Sequence, residues 1–97
     1  MTKFGELINF EKPVLIDFYS DWGEVENSIE TLRDVAAALG DKAKVIKIEI
    51  DKNETLAEAL RVKGNPTFMI YKNGEIVWRK TGFQDANTLI GLVQKFI

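Results

Sequence analysis

Protein chemistry runs on nucleophiles, proton carriers and metal ligands, and this sequence is poor in all three. Its 97 residues include no cysteine and no histidine. Without cysteine there is no disulfide, no thiolate nucleophile and no sulfur redox couple. Without either residue there is no ordinary zinc, haem or iron–sulfur site, and no triad built on a histidine base. Carboxylates, lysines, tyrosines, serines and threonines remain. Asp17 stands out among them because it lies within the apolar run Val14-Leu15-Ile16-Asp17-Phe18-Tyr19. A buried carboxylate is costly unless it is paired or protonated. Asp17 is therefore either a perturbed group poised for proton transfer or a buried polar group satisfied by a neighbour or water. Asp51-Lys52-Asn53 opens like a calcium loop, but Leu56 occupies the position that needs glycine and Val62 the position that needs glutamate. That reading is rejected, and no cofactor or metal is expected.

The rest of the composition fits one folded unit, expected over residues 1–97. Hydrophobic residues make up 45% and aromatic residues 10%, which is globular rather than disordered. Thirteen basic against 15 acidic residues leave a net charge of −2 and no footprint for nucleic acid. The N-terminal stretch MTKFGELINF lacks a continuous apolar segment and a small-residue cleavage site. No apolar run approaches the roughly 20 residues of a membrane span. A cytoplasmic monomer without a membrane partner is expected.

The elements that position these residues follow from periodicity. Phe4, Leu7 and Ile8 are spaced for one face of a short helix over residues 3–10. The run from Val14 to Tyr19 reads as a strand buried on both faces. From Glu24 to Leu39 the period becomes helical, with Val25, Ile29, Leu32, Ala36 and Leu39 forming a stripe. Gly40 suits the C′ position. Val45 to Ile50 is a second strand, with Ile46, Ile48 and Ile50 on one face and Lys47 and Glu49 on the other. Strand, helix and strand in that order predict a right-handed parallel βαβ unit. Asn53 is expected to cap a short helix running to about Arg61. Asn73-Gly74 between apolar runs predicts an antiparallel hairpin of residues 67–71 and 75–81. Asp85 starts a last helix whose inner stripe is Leu89, Val93 and Phe96, supported by Leu92. Trp78 is expected to pack on a sheet face or edge, and the scattered lysines and arginines to be solvated.

Three segments then resemble one family. Val14 to Trp22 resembles the strand that leads into the thioredoxin active site. Val62-Lys63-Gly64-Asn65-Pro66-Thr67, with the hairpin that follows, resembles the family's cis-proline loop. Lys80-Thr81-Gly82-Phe83 resembles its following glycine turn. The resemblance spans nearly the whole chain. It implies an α/β thioredoxin fold: a mixed sheet of four to five strands, combining the parallel βαβ unit with the hairpin, and helices on both faces. The short N-terminus implies that the family's first strand is abbreviated or helical.

The centre departs from the family. Where it places Trp-Cys-Gly-Pro-Cys, this chain reads Trp22-Gly23-Glu24-Val25-Glu26, so Gly23 and Glu26 take the two cysteine positions. The family's helix proline is Thr31, and Asn27 and Ser28 replace the residues after the second cysteine. Natural divergence or deliberate redesign of the segment would produce this pattern. The resemblance implies a groove at Trp22, Gly23, Glu24, Val25, Gly64, Asn65, Pro66, Gly82 and Phe83, where an extended peptide would pair with backbone by β-augmentation, which needs no thiol. It also places Lys47 near Asp17. Were Glu26 to turn inward it would face Asp17, and two close carboxylates would raise one pKa, giving an acid–base pair or a site for a hard cation. The expectation is a protein that is not an enzyme and binds protein or peptide at the former active-site groove. A diverged or engineered oxidoreductase variant without a partner, and a carboxylate site at Asp17 and Glu26, are the alternatives.

Overall fold

The computed structural model describes residues 3–20, 25–62 and 66–97, with residues 25–29 described through their backbone alone. Among the described residues, four helices and four strands follow one another. They are α1 (Lys3–Ile8), β1 (Val14–Tyr19), α2 (Val25–Leu39), β2 (Lys44–Glu49), α3 (Glu54–Ala59), β3 (Thr67–Lys72), β4 (Glu75–Thr81) and α4 (Ala86–Gln94). Short 3-10 turns at Gly40–Lys42 and Ile50–Lys52 flank β2. The sheet order is β2-β1-β3-β4. β1 runs parallel to β2 and antiparallel to β3, and β3 pairs antiparallel with β4. Of the four to five strands expected, four are present among the described residues, and the N-terminal element is a helix.

β1 is an unbroken apolar run because it is central and covered on both faces. Its alternation feeds two separate cores. Val14, Ile16 and Phe18 join Ile8, Ile48, Ala57, Met69 and Tyr71 under α1 and α3. Leu15 joins Leu32, Val35, Phe68, Ile70, Leu89 and Val93 under α2 and α4. Phe4 of α1 closes the first core, with its ring centroid 6.4 Å from Phe18 and 5.5 Å, edge-on, from Tyr71. Trp78 is half-buried against the second core. β4 has a neighbour on one side only, and its side chains are largely exposed.

Local chemistry sets the connections. Asn73 (φ 54°) and Gly74 (φ 81°) both take left-handed backbone, as a two-residue type I′ hairpin requires. The Asn73 and Gly74 N–H groups donate to the Phe10 and Ile8 carbonyls at 2.9 and 3.1 Å, tying the hairpin tip to the end of α1. Beyond the tip the register shifts, so that Ile70 faces Trp78 while Tyr71 faces Ile76, leaving Val77 as the extra residue of a bulge. Asp85 caps α4 as expected: its Oδ1 accepts from the Thr88 N–H at 2.7 Å, which lowers the Asp85 pKa.

Three local expectations are corrected. The α2 stripe runs through Leu32, Val35 and Leu39, while Ala36 is exposed. Spacings of three and four residues are both helical neighbours, and packing against α4 selects Val35. Asn53 stands at the N-cap of α3 but makes no side-chain cap bond. Its amide instead donates to the Glu49 carbonyl at 2.9 Å, fastening the end of β2. The helix stops at Ala59 rather than near Arg61, because Arg61 itself is left-handed at φ 57°.

Candidate functional site

The sheet collects its chemistry at one end. β1 finishes at Tyr19, and the antiparallel registers set Phe18 opposite Thr67 and Thr67 opposite Thr81. The C-terminal end of β1, the N-terminal end of β3 and the C-terminal end of β4 therefore lie side by side. The Thr67 and Thr81 hydroxyl oxygens are 3.4 Å apart. One residue further out, the Gly82 N–H donates to the Pro66 carbonyl at 2.8 Å. Gly82 has φ 107°, a conformation that a side chain would strain. The chain bends at Gly82, and Phe83 beyond it is 50% exposed. Exposed large aromatics beside irregular backbone are a common feature of binding surfaces.

Of the groove residues expected from sequence, the structure joins Gly82 to Pro66 by a hydrogen bond, with exposed Phe83 next in the chain. Trp22, Gly23, Glu24, Gly64 and Asn65 lie outside the described residues. Val25 opens α2, and its side chain and that of Glu26 lie outside them too. The proposed pairing of Glu26 with Asp17 therefore falls outside the described residues.

Asp17 lies inside the sheet, 0% exposed, and shares by alternation the face of Leu15. Its Cα partners are Lys47 on β2 and Phe68 on β3. Neither carboxylate oxygen has a hydrogen-bond partner among the described residues. Burial pushes its pKa up to about 7, and the charge of Lys47 acts against that rise. Lys47 itself is exposed. The inherited polar pair is thus one buried group and one solvated group, coupled through charge and not through a hydrogen bond. What this arrangement can do chemically is hold or release a proton near neutral pH.

A model of the thioredoxin family matches residues 1–95. The chain belongs to the thioredoxin family. It is 39% identical over 95 residues to chloroplastic thioredoxin Y of rice, covering 96% of this chain but only 56% of the rice protein. It is 33% identical to thioredoxin of Rickettsia prowazekii, covering 96% of this chain and 90% of that one. Among solved structures, a mutant thioredoxin from Halobacterium salinarum superimposes with a TM-score of 0.81 at 33% identity, covering 99% of this chain and 84% of that one.

These relatives correct one expectation. The chain was expected not to be an enzyme, yet it matches, along nearly its whole length, proteins named thioredoxins, which are thiol–disulfide oxidoreductases. Missing cysteine removes one residue type from the chain and does not take it out of an enzyme family. One contact at this end of the molecule had no signal in the sequence. Arg79, expected to be solvated, reaches the end of α3, its guanidinium donating to the carbonyls of Leu60 at 2.9 Å and Arg61 at 3.3 Å.

Proposed function

We propose that this thioredoxin-family chain binds protein or an extended peptide at the end of the sheet formed by Pro66, Gly82 and Phe83. The observation that carries the reading is the half-exposed Phe83 ring, set beside a backbone turn that the Gly82–Pro66 hydrogen bond fixes. A fixed turn lowers the ordering cost of binding, and an aromatic at its rim supplies apolar contact area. The chain brings no thiol to the encounter, since it contains no cysteine, so disulfide exchange through its own side chains is left out of the proposal. The test is a panel of immobilised extended decapeptides probed with wild-type protein, Trp22→Ala and Phe83→Asp. Selective binding, weakened about tenfold or more by Phe83→Asp, is the expected result. Binding that is absent, or indifferent to both changes, sinks the reading.

One observation favours a second reading. Asp17 is buried, unpartnered among the described residues, and shifted to a pKa of about 7. Groups matched to neutral pH are suited to proton transfer. Carbon-detected NMR titration of the Asp17 carboxyl tests it, and a midpoint near the ordinary 3.8 would sink it.

A further inference from the structure

The end of α3 is built in an unusual way. The Val62 N–H donates to the Ala57 carbonyl at 2.9 Å and the Arg61 N–H to the Glu58 carbonyl at 3.1 Å. With Arg61 left-handed at φ 57°, these two bonds make a Schellman stop. Val62 and Ala57 supply its apolar contact, since both are buried in the first core. The C′ position of such a stop usually carries glycine, and an arginine there holds a conformation that costs a side-chain-bearing residue about 1 kcal/mol or more. Something must keep it there. The Schellman bonds leave the Leu60 and Arg61 carbonyls pointing outward, and the Arg79 guanidinium takes both. A charged, planar donor set across two successive carbonyls is a strong and directional contact.

Arg79 sits on β4, two positions before Thr81 and three before Gly82. The same short stretch, from Arg79 near the end of β4 to Gly82 just past it, therefore holds both ends of the connection that carries Pro66. Arg79 grips its beginning at residues 60 and 61, and the Gly82 N–H grips its end at the Pro66 carbonyl. Four residues lie between Arg61 and Pro66 in the sequence, so the two anchored points are joined by a short stretch of chain.

We infer that Arg79 is a positioning residue of the groove, holding the helix end from which the Pro66 segment is hung. The inference rests on the proposed groove for its functional meaning, but its mechanical part stands on these bonds and is measured separately. The experiment is amide hydrogen exchange on the wild type, Arg79→Leu and Arg79→Lys, with decapeptide binding measured on the same samples. Arg79→Leu keeps an apolar stem and removes the donors. It should speed exchange of the Gly82 N–H about tenfold while leaving Ile16 and Met69, in the central strands, unchanged. Arg79→Lys keeps the charge but not the fork, and should give a smaller change in the same direction. Gly82 exchange that is unchanged in both variants, or that rises in step with Ile16 and Met69, overturns the inference. The second pattern would mark a uniformly weakened fold. Peptide binding should weaken with Gly82 protection. If exchange at Gly82 responds while Phe83→Asp leaves binding untouched, the groove reading fails and the positioning role of Arg79 stands.

Discussion

The two faces of the sheet are built from the same central strand and yet differ in kind. Toward α1 and α3, β1 contributes Val14, Ile16 and Phe18, and the core they enter is apolar apart from the Tyr71 phenol. That hydroxyl has found a partner, donating to the Met69 sulfur at 3.7 Å. Toward α2 and α4, the same strand contributes Leu15 and then Asp17, whose oxygens have no hydrogen-bond partner among the described residues. The first face is a closed apolar core. The other keeps a carboxyl whose charged form burial disfavours, two residues from the end of the strand beside which the candidate site lies. Unsatisfied polarity in a folded protein often accompanies a functional site, and under the proposed function this asymmetry would set the α2 face apart from the other.

The largest expected effect tests the packed face. Phe18→Ala should lower stability by about 3–5 kcal/mol in urea denaturation at pH 7, because a fully buried ring is replaced by a cavity. A loss below about 1 kcal/mol would mean that the ring is not tightly enclosed. The next effect tests the polar face. Asp17 binds its proton more tightly in the folded chain, with a pKa of about 7 against 3.8. Between those values the folded state holds a proton that the unfolded state has released. Stability should therefore fall as pH rises from about 4 to about 7, by roughly 4 kcal/mol, and level off above. Asp17→Leu should flatten that slope and raise stability at pH 8. A wild-type profile that is flat or rises over the window would erase the contrast between the faces. The smallest effect is a control away from both cores. Gly91 lies on α4, and an added Cβ would meet nothing within 4 Å. Gly91→Ala should gain about 0.5–1 kcal/mol in the same urea assay, at every pH. A gain that varied with pH would mean that α4 senses Asp17.

Much of this was legible in the residues. The unbroken run at Val14–Tyr19, the helical period after it, the Asn73-Gly74 turn and the Asp85 cap are local patterns, and local sterics and hydrogen bonding are enough to produce them. Other features are choices among near-equal local options. A helix offers both Val35 and Ala36 to its neighbour, and only the position of α4 decides. Asn53 has the chemistry of a cap, but the Glu49 carbonyl lies within its reach and takes the amide. In the candidate site, Pro66 and Gly82 were singled out by residue type and spacing, while their hydrogen bond was not, because it joins two strands' ends across 16 positions of sequence. Arg79 looked like one of many solvated cations for the same reason.

The sequence by itself determined which elements form, where the hairpin turns, which family the chain resembles and which atoms it lacks, since covalent composition and short-range periodicity need no fold to be read. Only the tertiary structure decided that Asp17 is wholly enclosed beside an exposed Lys47, that Gly82 bonds Pro66 while Phe83 stands half in solvent, and that Arg79 bonds the end of a helix 18 positions away. Burial and long-range hydrogen bonds are properties of which surfaces meet. That meeting depends on every element at once, and no single stretch of residues specifies it.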